Sequence, residues 1–140
     1  MNAIILTSEP NASPEDEQFL RDSLDHFNME TVQDYHYIPV RLFLRDETGA
    51  IHGGLIAHIW GGWLHLDYLW VDEAHRKHGY GKQLVQRALD EAHNQHCRGA
   101  YLTTFTFQAR PFYERFGFEV VAEVPDYPPG HTYYFMRSLF

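Results

Sequence analysis

The chain has 140 residues, enough for one domain with a full hydrophobic core. Its 19 acidic against 11 basic residues give a formal net charge of −8, which argues against nucleic acid or an anionic membrane as the main partner. The one cysteine, Cys97, excludes an internal disulfide, and the sequence shows neither a signal-like leader nor an apolar run of about 18 residues, so a soluble cytoplasmic protein is expected.

In chain order, "NAIILTS" (residues 2–8) reads as a first strand. "SPEDEQFLRDSLDHFN" reads as a helix. Ser13 suits the N-cap, Pro14 suits the first helical position, and Glu15, Asp16 and Glu17 complement the positive end of the dipole. Phe19, Leu20, Leu24 and Phe27 share one face. Residues 29–36 fit either a short second helix or a loop. "IPVRLFLRD" alternates Val40, Leu42 and Leu44 against Arg41, Phe43 and Arg45, the period of a strand. "IHGGLIAHIW" and "WLHLDYLWV" flank Gly61-Gly62 and form an antiparallel hairpin. From Gly81, the residues Leu84, Val85, Ala88, Leu89, Ala92 and Cys97 follow the helical period, with Gly99 expected to end the helix. "AYLTTFTF" is a strand, "ARPFYERFG" a short helix closed by Gly117, and "FEVVAEV" and "HTYYFMRSLF" are the last two strands. The fold class is α/β with a mixed sheet. The crossover helix makes the strands at 63–71 and 99–107 parallel neighbours.

"HRKHGYGKQL" (residues 75–84) joins an apolar strand to the crossover helix. A diphosphate seat needs several backbone N–H groups aimed at one small volume, an open approach and a helix dipole behind it. Gly79 and Gly81 leave the main chain open, the helix supplies free N–H groups, and Arg76, Lys77 and Lys82 add positive charge. A dinucleotide fingerprint would need a glycine where Leu84 stands. A P-loop would need Gly at Arg76 and Ser or Thr at Gln83. On these residues alone, a plain glycine turn between strand and helix is an equal alternative.

Two blocks resemble the GNAT superfamily of acetyl-CoA-dependent N-acetyltransferases. "VDEAHRKHGYGKQLVQRAL" is similar to the family's motif A, whose core is here Arg76-Lys77-His78-Gly79-Tyr80-Gly81 after an apolar "LWV". "ARPFYERFGFEVV" is similar to a second family segment, with Ala109, Phe112, Tyr113, Gly117 and Phe118 in place. The resemblance covers about residues 36–140, and the element order of the whole chain agrees with it. It implies a GNAT fold in a single domain over residues 1–140: a mostly antiparallel sheet with a central, splayed parallel strand pair, flanked by helices. It also implies acetyl-CoA as acetyl donor. Pantetheine would lie along Leu69, Trp70 and Val71, with a backbone N–H there meeting the acetyl carbonyl. The diphosphate would rest on Arg76, Lys77, His78, Gly79, Tyr80, Gly81 and Lys82. Thr106, which stands where the family often has Asn, and Ala109 complete the expected cofactor contacts. Tyr113 matches the family's frequent proton donor to the leaving thiolate. A phenol of pKa ~10 suits that task.

His65 and Asp67 alternate along one strand and so share a face, which makes them candidates for accepting the amine proton. The alternative is a cross-strand pair with a residue such as His58, or a solvated face. Tyr35, Tyr37 and Trp60 could wall an acceptor pocket and attract a cation, or belong to the core. "HNQHC" places His93, His96 and Cys97 together, but no second cluster supplies further ligands there, and no metal is expected. The expected reaction moves acetyl from acetyl-CoA to a primary amine of a small, cationic molecule. Acetylation of a protein N-terminus or lysine is the first rival and would need an open groove across residues 28–37. A non-catalytic acetyl-CoA-binding module is the second, and Tyr113 and the polar strand face argue against it. Small family members often pair, so a homodimer is compatible with the sequence.

Overall fold

The computed structural model describes residues 2–32 and 36–140, so Tyr35 lies outside the described residues. The chain divides into two units, Met1–Asp34 and Tyr35–Phe140. In the first, helix α1 spans Pro14–Met29. Its start follows the sequence chemistry: the Ser13 hydroxyl accepts the Asp16 N–H at 3.2 Å, and Pro14 occupies the first turn. Residues 2–8 are not the expected strand. A strand exists by pairing, and the β-propensity of "AIIL" produces no ladder without a neighbour to take its N–H and C=O groups.

The second unit holds strands β1 (Ile38–Arg45), β2 (Ile51–Trp60) and β3 (Trp63–Val71), then a 3₁₀ turn at Glu73–His75 and helix α2 (Tyr80–Asn94). Strand β4 (Gly99–Phe105), helix α3 (Arg110–Glu114), β5 (Glu119–Pro125) and β6 (Thr132–Leu139) follow. The six strands form one sheet in the order β1-β2-β3-β4-β6-β5. Among the described residues, only β3 and β4 run parallel, as the crossover through α2 requires. The β2–β3 hairpin turns on Gly61 and Gly62 at φ 62° and 82°, a conformation that side chains with a Cβ resist. Among the described residues, no helix is long and apolar enough to cross a membrane.

The core lies on one face of this sheet. Leu84, Val85, Ala88, Leu89 and Ala92 form the buried stripe of α2, and they meet Val40, Leu55, Leu64, Leu102 and Met136 from five strands. Burying each large aliphatic side chain contributes about 1.5–3 kcal/mol. The end of α2 differs from expectation. The helix stops at Asn94, and His96 takes the left-handed turn at φ 58°, so Gly99 is not its cap. Gly99 instead opens β4 at a tight crossing. A Cβ there would lie 2.4 Å from the Ser138 carbonyl oxygen and 2.8 Å from the Trp63 ring.

Two irregularities shape the middle of the sheet. Ile56 pairs with Tyr68 but Ala57 pairs with Leu66, so Asp67 is an extra residue on β3. This bulge resets the alternation: Leu64 and Leu66 face the core before it, and Leu69 and Val71 pack against the core after it. Then β3 and β4 part. They pair only through Trp63–Gly99, Leu64–Ala100 and His65–Tyr101.

Candidate active site

Beyond His65, the β3 backbone groups that face away from β2 have no β4 partner. Buried main-chain donors and acceptors seek partners, so such an edge is open to an extended ligand. A cavity of about 290 Å³ fills the space between the diverging strands. Asp67, Leu69 and Trp70 line one wall, Thr103 and Thr104 the other, and Gln108, Ala109 and Tyr113 close it from the loop and α3. Of the sequence candidates, the structure therefore brings Asp67, Leu69, Trp70, Ala109 and Tyr113 together. Val71 sits at the strand end, where its carbonyl accepts the Arg76 Nε–H at 2.8 Å. Thr106 is engaged elsewhere: its Oγ1 accepts the Thr132 N–H at 3.2 Å and lies 2.9 Å from His131 Nδ1. Thr104 and Gln108, which the sequence did not single out, line the cavity and bond each other at 3.2 Å.

Tyr113 is held by packing. Its ring lies against Phe112 and Phe118, and burial pushes its hydroxyl pKa up, so it keeps its proton at neutral pH.

On the sheet face opposite the α2 core, Asp67 pairs with two histidines. One carboxylate oxygen is 2.7 Å from His58 Nδ1 and the other is 2.9 Å from His65 Nδ1. A carboxylate only accepts, so each ring donates its Nδ1–H, and a neutral ring keeps its lone pair on Nε2. His65 and Asp67 thus share a face, and Asp67 also makes the cross-strand pair with His58. Burial pulls the His65 pKa down, with the Asp67 charge opposing that shift, so the ring is the free base at neutral pH. Tyr101 of β4 stacks on His65 with ring centroids 4.3 Å apart, and Tyr37 stacks on His58 at 5.2 Å. Tyr101 escaped the sequence reading, because only the β3–β4 register sets it opposite His65. Trp60 lies two residues beyond His58 on the same strand, at the hairpin end, where it pairs with Trp63.

The glycine loop lies at the start of α2. Gly79 is the N-cap at φ 83°, no side chain caps the helix, and the first helical bond runs from Gln83 N–H to Gly79. The N–H groups of Tyr80, Gly81 and Lys82 precede that bond and are available to an anion. A Cβ on Gly81 would meet only Phe112, at an ordinary 3.6 Å. Packing alone thus gives no reason for glycine there, whereas a ligand against the main chain would. Lys77, at φ 63°, His78 and Lys82 are exposed around the loop.

Residues 5–118 match the model of the acetyltransferase (GNAT) family. This chain belongs to the GNAT acetyltransferase family. The α/β mixed sheet is the GNAT fold, and acyl transfer from acetyl-CoA is the reaction class of that family. A blasticidin-S acetyltransferase from Streptomyces morookaense is 45% identical over 87 residues, a match covering 61% of this chain and 64% of that enzyme. The chain thus spans just under two thirds of that relative. The acetyltransferase Atu2258 from Agrobacterium fabrum is 30% identical, over 92% of this chain and 94% of its own. The crystal structure of an acetyltransferase from Bacillus cereus superposes with a TM-score of 0.83 at 31% identity, covering 96% of this GNAT chain and 98% of that one.

Proposed function

We propose that this protein acetylates a primary amine of a small, cationic molecule. The observation that carries this reading is the opening between β3 and β4, whose cavity is lined by both Asp67 and Tyr113. The acetyl thioester supplies the acyl group. The chain's own residues supply binding, orientation and proton handling.

In this reading, the N–H groups at Tyr80, Gly81 and Lys82 hold the diphosphate, with Arg76, Lys77, His78 and Gly79 shaping and charging its seat. The free β3 edge at Leu69, Trp70 and Val71 pairs with pantetheine, and an N–H there polarises the acetyl carbonyl. His65 Nε2 accepts the proton of the attacking amine, directly or through water. Asp67 positions that ring through its Nδ1–H and offsets the positive charge the ring acquires. Tyr113 donates its proton to the departing thiolate, and its raised pKa keeps that proton in place until then. Tyr37 and Tyr101, stacked on the two histidines, give the amine an aromatic approach next to a carboxylate, which favours a cation. The match to an enzyme named for blasticidin-S supports a small-molecule acceptor.

Thiol release measured with acetyl-CoA against matched panels of small amines and peptides tests the proposal. Turnover with small cationic amines is expected. Turnover with peptides alone would overturn the acceptor class, and binding without any turnover would overturn catalysis.

A further inference from the structure

A second histidine–carboxylate cluster lies outside the proposed active site. His52 on β2, Asp72 just past β3 at the N-cap of the 3₁₀ turn, and His75 in that turn converge with Asp46 of the β1–β2 turn. We infer that His52, Asp72 and His75 form a binding site for a first-row divalent transition-metal cation, with Asp46 holding the His52 ring from behind.

Four observations carry it. First, three donor atoms, one each from His52, Asp72 and His75, lie within 4.8 Å of one another. Bonds of about 2.0–2.2 Å set ligand atoms roughly 3.3–3.6 Å apart, so small side-chain shifts complete the coordination. Second, both imidazoles present the same atom to one carboxylate: His52 Nδ1 is 2.8 Å and His75 Nδ1 is 2.6 Å from opposite oxygens of Asp72. The two rings lie only 4.3 Å apart, close enough to share one cation. Third, His52 Nε2 faces Asp46 at 2.7 Å. A metal-bound histidine commonly donates its other N–H to a carboxylate, which fixes its tautomer and strengthens it as a ligand. Fourth, the carboxylates are held by main chain. Asp72 accepts the His75 N–H at 3.0 Å, and Asp46 accepts those of Thr48 and Ala50 at 2.8 and 3.1 Å. The cluster is a quarter to two-fifths exposed, so an ion can reach it, and it borders a cavity of about 350 Å³ that includes Tyr80.

Two imidazoles and one carboxylate suit zinc-like ions and not magnesium or calcium, which take oxygen ligands. The bound ion would tie the β1–β2 turn and β2 to the segment that leads into the glycine loop. Sequence spacing hides this set, because Asp46 and His52 lie some twenty or more residues from the turn that carries Asp72 and His75.

Calorimetric titration of the chelator-stripped full chain with zinc chloride, without acetyl-CoA, tests the site independently of the proposed reaction. One site tighter than about 100 µM is expected. His52→Ala and His75→Gln should each weaken it at least ~10-fold, and Asp46→Asn by about 10-fold through the ring it holds. Magnesium chloride should give no binding, and His58→Ala should leave zinc affinity unchanged. Cobalt(II) should show ligand-field absorption that His75→Gln removes, with circular dichroism confirming that the variant is folded. Absence of zinc binding, or unchanged affinity in both His52→Ala and His75→Gln, would overturn the site. Loss of affinity in His58→Ala alone would assign the ion to the other cluster.

Discussion

Replacing Asp67 by Asn gives the sharpest test of the proton pathway. The carboxylate receives Nδ1–H from His58 at 2.7 Å and from His65 at 2.9 Å. An amide can accept from one ring only, and its NH₂ group must face the other. A hydrogen bond to a charged group is worth about 1.5–3 kcal/mol, so losing the orientation of His65 should lower kcat/KM by roughly 10–150-fold. A general fall in activity would not be specific, but its pH dependence is. His65 must be neutral to accept a proton, so activity falls as pH drops through its pKa, which burial already holds below the ordinary value. The Asp67 charge raises that pKa against burial and against His58. Removing the charge leaves the lowering influences unopposed, so the acid limb of the variant should move to lower pH while its plateau falls. Thiol release from pH 4.5 to 8 with one acceptor compares both proteins, since ionisation of the acceptor is common to them. A limb that moves to higher pH, or a plateau equal to the parent's, would refute the positioning role. A parent limb in the carboxylate range that vanishes in the variant would make Asp67 itself the base.

Three further outcomes are expected. Tyr113→Phe should lower kcat by about 100-fold and change acetyl-CoA affinity little, as read by stopped-flow turnover and calorimetry; full kcat would remove the phenol as acid. Gly81→Glu should weaken acetyl-CoA binding by about 10–100-fold, the worth of a charge-assisted hydrogen bond, yet leave the thermal midpoint nearly unchanged because a Cβ fits at 3.6 Å from Phe112. Unaltered affinity would move the diphosphate elsewhere. Gly99→Ala should do the reverse. Its Cβ would strike the Ser138 carbonyl at 2.4 Å, costing about 1–3 kcal/mol in thermal or urea unfolding, and a variant as stable as the parent would contradict the tight β4–β6 crossing.

Most of the architecture is legible in the sequence where local chemistry and tertiary demand agree. Ser13 and Pro14 begin α1, Gly61-Gly62 turns the hairpin, and the spacing of Leu84, Val85, Ala88 and Leu89 marks the buried face of α2. Elsewhere the local signal is incomplete. Residues 2–8 have strand propensity but no paired neighbour among the described residues, and His96 takes a left-handed turn usually left to glycine. Gly99 is needed for a close backbone approach and not for a helix end. At the candidate site, motif and alternation lead to Tyr113, Asp67, His65 and the glycine loop. Tyr101, Thr104 and Gln108 emerge only with the register of β3 against β4 and the fold of the loop after it. The bulge at Asp67 is equally invisible, since it is a mismatch between two strands.

The brief seam between β3 and β4 has a mechanical consequence. Hydrogen bonding makes the sheet two three-stranded blades, β1-β2-β3 and β4-β6-β5, stapled at one end of their shared edge. The middle of a sheet is ordinarily its slowest region to exchange amide hydrogens. Here the inner edges beyond His65 and Tyr101 should exchange like the rim of a smaller sheet, while Leu55 and Met136 deeper in each blade stay protected. Anything that bridges the blades acts as a missing strand, so its affinity includes the work of setting the angle between them.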